Sequence, residues 1–340
     1  RMQSLADMEE WMRVFAFHRQ TGNWDDWNYN VGQNMYAFKQ PGVGWKLIPW
    51  DIDFTFGLGD GTTAPLGAGS LGGASQDPVA NRLFDAPAFR RMLMRAHQDA
   101  ALGPFQTNNY APQIAARRSV LVKNGITDAA DPRGIGTYID GRRNYILTQL
   151  KSADAKSFAI TSNNGNDFES ATPTTSLQGT APFAVATIEV NGVPYPLTWS
   201  TATTFRLTVP LTRATNAFSL VGKDRLGRVV AGATDTITVT YPGAIPQPQD
   251  YIVINEIHYN SLEPNASFLE LYNQSASVPF DLSGFRLDGV GYTFPVGSVI
   301  NPTSYLVLVK NRTDFGQAYG ATVPIFDEFP GSLQNNGEHL

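Results

Sequence analysis

Two acidic clusters stand out near the start of the sequence. The first is Asn23-Trp24-Asp25-Asp26, followed by Asn34-Met35-Tyr36; the second is Trp50-Asp51-Ile52-Asp53. Carboxylate and amide oxygens are the ligands that hard divalent cations prefer. A further aspartate can orient an acceptor hydroxyl or take its proton. These are the groups that phosphoryl transfer requires. On a strict strand Asp51 and Asp53 would face the same side, and with an aspartate and an asparagine from the preceding loop they could bind Mg²⁺. The spacing alone leaves a plainer alternative open. An Asp-x-Asp pair also caps strand ends or pairs with arginine, and as a motif it is weak.

The surrounding pattern supplies elements to hold these residues. Met8, Trp11, Met12, Phe15 and Ala16 recur at helical spacing and predict a helix over 8–19. Asp7 is its expected N-cap, with Glu10 as the capping-box partner. Asn34–Phe38 and Trp45–Trp50 read as two short strands joined by the turn-rich Gln40–Gly44. Gly57–Ser75 is Gly-rich and reads as a long loop. Further helices are expected over 81–101, with Pro87 near a helix start, and over 114–123 and 138–150.

The stretch from Met8 to Gly57 resembles the CotH kinase family, the spore-coat-protein-H-like atypical kinases. The resemblance lies in Glu10-Trp11-Met12, in Thr21-Gly22-Asn23-Trp24-Asp25, in Asn34 to Lys39, and most specifically in Trp45 to Gly57. It implies a protein-kinase-like fold and, in active members, transfer of phosphate from ATP to serine in a protein. By position, the resemblance makes Asp25 the catalytic-loop aspartate, Asn34 a metal-binding asparagine and Asp51 the metal-binding aspartate. Asp53 becomes a second metal candidate. The interval from Asp25 to Asn34 exceeds the family's usual one by about one small turn. Asn30 therefore stays open as an alternative ligand, and Asp26 as an alternative to Asp25. The implied cofactors are Mg²⁺ (or Mn²⁺) and ATP. The family's small lobe, with its phosphate-binding lysine, would lie upstream of Arg1. The segment as given is expected to lack most of an ATP pocket and to be inactive by itself.

Composition shifts after Lys151. From Phe158 to Tyr241 the chain is rich in Thr, Val, Ser and Gly, with period-two segments at 184–190, 204–209, 217–221 and 235–240 and an Asn191-Gly192 turn. This predicts a small antiparallel sandwich. Phe158–Thr161, Gly179–Pro182, Ile188–Gly192, Trp199 and Asn216–Leu220 resemble bacterial Ig-like repeats, with Trp199 expected in the core. Pro242–Gln249 reads as a Pro-rich, semi-rigid linker. Tyr251–Leu340 resembles a lamin-tail domain in Ile252–Ile257, Phe268–Asn273, Asp281–Leu287 and Tyr305–Val309, which implies an Ig-like β-sandwich with no catalytic centre. Glu256, Glu270 and Asn273 are expected to hold loops through backbone groups. The fold class expected is thus multidomain α+β: a mainly helical kinase-like C-lobe over 1–152, then all-β Ig-like sandwiches at 156–242 and 251–340, with 243–250 as linker.

Bulk properties narrow the function classes. A net charge of -5 with no Lys/Arg run gives nucleic-acid binding no support. The absence of cysteine excludes disulfides, thiolate zinc sites and a cysteine nucleophile. The histidines, His18, His97, His258 and His339, lack ligand spacing. Asn265, Asn273 and Asn311 begin formal glycosylation sequons, read as chance in a bacterial chain. No apolar run approaches the ~20 residues of a membrane helix. Both ends read as cut, so no weight rests on the missing signal peptide. The overall expectation is a secreted or cell-surface bacterial protein, with a phosphotransferase-like domain tethered to β modules that meet a protein substrate or cell-surface protein. The alternative is a non-catalytic scaffold with a degenerate kinase-like domain.

Overall fold

A computed structural model describes residues 2–27, 33–39, 44–67, 78–128, 131–155, 157–320, 323–334, 337 and 339–340. Asn30, the turn residues 40–43 and part of the Gly-rich loop lie outside them.

The N-terminal region is helical around one small hairpin. Its elements are α1 (Met2–Leu5), α2 (Met8–Thr21), β1 (Met35–Phe38), β2 (Lys46–Pro49), α3 (Pro78–Asp85), α4 (Pro87–Leu102), α5 (Thr107–Lys123) and α6 (Arg133–Ala153). The helix expected over 81–101 is therefore two helices. Pro87 sits at the first position of α4, where its missing N–H costs nothing. Met8, Met12, Phe15 and Ala16 bury the predicted face of α2 against Phe84, Leu93, Met94 and Ile146. Full burial of a side chain such as Phe15 contributes about 2–3 kcal/mol.

The capping box on α2 is only half formed. Asp7 does accept from the Glu10 amide at 3.1 Å. The Glu10 carboxylate, however, accepts from the Leu47 amide of β2 at 3.1 Å, while the Asp7 amide donates to the Trp45 carbonyl. A non-local partner outcompetes the local one, and α2 becomes stitched to the hairpin.

The first β module carries β3 (Ala159–Ile160), β4 (Phe168–Glu169), β5 (Thr174–Thr180), β6 (Thr187–Val190), β7 (Val193–Pro194), β8 (Thr198–Trp199), β9 (Thr204–Pro210), β10 (Thr215–Lys223) and β11 (Val229–Thr240). They form two sheets, ordered β4-β11-β10-β6-β7 and β3-β5-β9-β8. Alternate residues of β9 and β10, such as Phe205, Leu207, Val209, Phe218 and Leu220, fill the space between them. Asn191 and Gly192 both have positive φ, as the predicted tight turn between β6 and β7 requires. The strand expected to begin at Ala184 begins only at Thr187; residues 182–185 form a turn, closed by the Val185 amide on the Pro182 carbonyl, that faces α4.

The second β module carries β12 (Ile252–His258), β13 (Phe268–Asn273), β14 (Phe280–Asp281), β15 (Arg286–Leu287), β16 (Tyr292–Thr293), β17 (Val299–Ile300), β18 (Tyr305–Val309), α7 (Arg312–Tyr319) and β19 (Asp327–Glu328). One sheet runs β12-β13-β18-β19, with β14-β17 and β15-β16 as separate ladders. Helix α7 is an addition to the all-β expectation. Asn311, read as part of a sequon, is its N-cap and accepts from the Thr313 and Asp314 amides. Asn273 is fully buried and donates to the Val278, Ile300 and Asn301 carbonyls, the loop-holding role expected of it. Glu270 departs from that expectation and accepts from the Asn255 side chain at 2.7 Å. Among the described residues Glu256 has no hydrogen-bond partner through its side chain.

Candidate functional site

The first acidic cluster is built on the C-terminus of α2. Gly22 closes the helix in the left-handed region, φ 75°, and the chain turns out through Asn23, Trp24 and Asp25. The loop that follows β2 packs on this turn. Phe56 donates its amide to the Thr21 carbonyl, and Asp60 donates to the Gly22 carbonyl, both at 2.7 Å. A Cβ at Gly22 would meet the Tyr138 hydroxyl, and would sit 2.7 Å from the Asp60 carbonyl oxygen. Gly22→Ala is therefore expected to cost at least about 2 kcal/mol, from strain and backbone overlap together. A melting temperature within 1 °C of the parent chain would contradict this packing.

Asn23 is 1% exposed and organises the loop. Its side-chain amide donates to His18 Nδ1 at 3.0 Å, and its side-chain oxygen accepts from the Asp25 amide at 3.2 Å. Burial, then the charge of Arg19, lowers the His18 pKa to about 4. Asp26 Oδ2 lies 3.7 Å from His18 Nδ1, beyond hydrogen-bond range, while the Asn23 amide already occupies that nitrogen. Burial therefore prevails and the imidazole is neutral. Asp26 is also 1% exposed and faces inward, so it supports the loop and is a poor substitute for Asp25.

Asp25 and Asn34 meet. Asn34 Nδ2 donates to the Asp25 carboxylate at 3.0 Å and to the Asp25 carbonyl at 2.8 Å, and Gln33 donates to the other carboxylate oxygen. The Asn34 carbonyl in turn accepts from the Trp50 amide at 2.8 Å, one residue before Asp51. Trp24 and Phe54 add a second join, with ring centroids 5.6 Å apart. The two acidic clusters thus belong to one neighbourhood.

Asp51 and Asp53 do not lie on a strand, contrary to the strict-strand geometry used to align them. Strand β2 stops at Pro49, and Asp51 turns the chain with φ 49°. Both aspartates are exposed, and among the described residues no hydrogen bond or ion pair engages their carboxylates. Asn34 and Phe56 also have positive φ, 59° and 53°. Asn and Asp tolerate that region, whereas it is strained for phenylalanine. Concentrated backbone strain of this kind is common where function fixes geometry.

The donor chemistry fits a hard cation: carboxylate and amide oxygens, with no thiolate in the chain and the nearby imidazole buried. Among the described residues no three His, Asp or Glu side chains group into a ready metal cage. A cation here would take one or two protein carboxylates and fill its shell from water or phosphate, as Mg²⁺ commonly does.

Model comparison assigns the two ends of the chain. A CotH kinase protein family model matches residues 1–139, and a Lamin Tail Domain model matches residues 246–337. The chain couples a CotH kinase domain to a lamin tail domain. Among curated proteins none matches it. Two solved structures share local likeness. One is an endo-beta-1,4-mannanase from Thermotoga petrophila, at 12% identity over 32% of this chain and 24% of that one, with a TM-score of 0.21. The other is the Bacteroides ovatus mixed-linkage glucan utilization locus SGBP-B in complex with a mixed-linkage heptasaccharide, at 13% identity over 47% and 46%, with a TM-score of 0.18. The chain spans less than half of either structure, and scores this low carry no argument about ligand.

Sequence reasoning missed the braces beneath the CotH site. Arg142 on α6 is fully buried and donates to the carbonyls of Arg19, Thr62, Ala64 and Pro65. His97, also fully buried, has Nε2 2.8 Å from the Leu66 carbonyl oxygen. Together they fix the loop after Asp53 to the end of α2. A cleft of about 890 Å³ opens elsewhere, between the β modules, and none of the acidic-cluster residues lines it. No helix of the described residues is long and apolar enough to cross a membrane.

Proposed function

We propose that the CotH kinase domain supplies the cation-binding and acceptor-orienting groups of an ATP-dependent phosphotransferase acting on serine in a protein. We place this domain in an extracytoplasmic chain whose lamin tail domain engages cell-surface partners. The observation that carries the reading is the Asp25–Asn34 pair, tied through the Asn34 carbonyl to the residue before Asp51.

Each residue has a part in this reading. Two amide donors fix the rotamer of Asp25, whose carboxylate accepts the proton of an approaching hydroxyl. Asn34 orients Asp25. Asp51 and Asp53, exposed and uncommitted among the described residues, would hold Mg²⁺ or Mn²⁺. When bound, such an ion supplies charge neutralisation for phosphate oxygens.

The direct test is titration of the chain with Mn²⁺ alone, followed by electron paramagnetic resonance of the free ion. Saturable binding is expected, weakened roughly tenfold or more in Asp51→Ala, which corresponds to about 1.4 kcal/mol. Affinity unchanged in both Asp51→Ala and Asp53→Ala would remove the metal site from these residues.

A further inference from the structure

Arg91 on α4 is 1% exposed, and among the described residues its side-chain hydrogen bonds all go to the first β module. It donates to the carbonyls of Ala181 at 2.9 Å, Ala202 at 2.8 Å, Val185 at 2.6 Å, and Pro182. Its guanidinium lies 3.8 Å from the ring centroid of Trp199. Trp199, expected in the sandwich core, is half-buried against that core, where it packs on Phe205, and it also meets this arginine. Burial, then the Arg95 charge, pulls the Arg91 pKa down to about 9, so the side chain stays charged at neutral pH. A buried charge requires such a set of acceptors.

The contact extends on both sides of Arg91. Asp154, just after α6, accepts from the Phe183 amide at 2.7 Å. Phe183 and Ala202 of the sandwich pack into the hydrophobic core of the helical region. At the exposed rim Arg225 pairs with Asp99 at 2.9 Å. An interface with buried charge and shared core is not that of a module on a flexible tether.

Arg95, one turn beyond Arg91, joins this interface to the CotH site. It is 4% exposed. It donates to the Val185 carbonyl at 3.3 Å and to both Glu9 carboxylate oxygens, at 2.6 and 3.3 Å. Glu9 lies in the first turn of α2, beside Glu10, whose carboxylate holds the Leu47 amide of β2. That strand ends at Pro49 and leads into Asp51, while the other end of α2 leads into Asp25. We propose that the Ig-like sandwich is a positioning element of the CotH site, with Arg95 as the positioning residue that couples the Val185 turn to α2 and β2. This rests on Asp51 being the metal ligand.

The test uses the full chain and two readouts: Mn²⁺ affinity, and hydrogen exchange at the Leu47 amide. Arg95→Gln is expected to weaken Mn²⁺ binding and to speed Leu47 exchange, each by roughly threefold to thirtyfold. Arg95→Lys should recover part of both, since it keeps the charge but not the two-pronged contact. Glu9→Ala cuts the same link from its more exposed side, so the outcome does not depend on Arg95→Gln folding. Arg225→Gln, at the rim, should change neither readout. Unaltered Leu47 exchange in both Glu9→Ala and a folded Arg95→Gln overturns the coupling. A parent chain that binds no Mn²⁺ defeats the metal reading instead, and Leu47 exchange alone then decides the coupling.

Discussion

Lowering the pH from 7.5 to 4.5 is expected to reduce the stability of the helical region by about 5 kcal/mol, through two buried histidines. His97 is fully buried, and burial takes its pKa to about 3 against the opposing Leu66 hydrogen bond; the nearby Arg142 and Arg19 charges add to the depression. His18 is held near 4 by burial and by Arg19. Both fall below the ordinary value of 6.5. The unfolded chain therefore binds protons between pH 6.5 and about 4 that the folded chain refuses, and stability drops as pH falls through that window. At pH 4.5 the difference is about two pH units for each group, on the order of 3 kcal/mol per histidine. Glu10 and Asp154 act in the opposite direction. Burial raises both carboxyl pKa values, so the fold favours their protonated forms and acid returns part of the loss.

Against a total stability of about 5–15 kcal/mol, the histidine contribution is a third of the total or more. Calorimetry at pH 7.5, 6.5, 5.5 and 4.5 should show the melting temperature falling by about 10–20 °C across the series. His97→Gln keeps a donor for the Leu66 carbonyl and removes the titration, so its profile should lose about half of that slope. A parent profile no steeper than that of His97→Gln would mean that the His97 imidazole is not buried as described.

The helix over 8–19, its Asp7 cap, the hairpin and the sandwich strands were legible because local periodicity and turn chemistry specify them. The CotH neighbourhood was legible as a set of acidic residues but not as a geometry. Asp51 and Asp53 were aligned by a strand that stops at Pro49, and the positive φ of Asp51 has no signature in a single sequence. The braces escaped for a different reason. Arginine is ordinarily a surface residue, so nothing marked Arg91, Arg95 or Arg142 as buried. Their acceptors are backbone carbonyls, which any residue type provides, and Val185 lies far from Arg91 along the chain. The turn at 182–185 looked like strand from Ala184 onward because its apolar residues fit period two. It is packed against α4, which only the tertiary structure reveals. Glu10 was correctly placed in the first turn of α2, and its carboxylate was claimed by Leu47 for the same non-local reason.

On the proposed phosphotransferase reading, Asp51→Ala in the complete protein is expected to abolish transfer of labelled γ-phosphate to a serine-containing acceptor, a loss of at least about a thousandfold, whereas Asp25→Asn should spare nucleotide binding. The distinction follows from what each side chain touches. Asp51 is exposed and uncommitted among the described residues; if it is the metal ligand proposed, its removal should raise the metal requirement as well as lower turnover. Asp25 is held by Asn34 and Gln33. Asparagine preserves its shape, but the new amide cannot accept a proton. A group acting in proton transfer typically contributes 10²–10⁴-fold, and the loss should appear in kcat with little change in KM for ATP. Asn34→Ala leaves the Asp25 carboxylate one donor short and should cost less than Asp25→Asn, because it misplaces the base without deleting it. The measurement is label transfer with Mg²⁺ or Mn²⁺ across the parent and the three variants. If Asp25→Asn retains turnover, Asp25 is not the proton acceptor. If label transfer survives Asp51→Ala, the phosphotransferase centre lies on other residues. If the complete parent protein binds no nucleotide and labels nothing across a panel of acceptors, the acidic neighbourhood is a relic, and the chain works as a surface scaffold through its β modules.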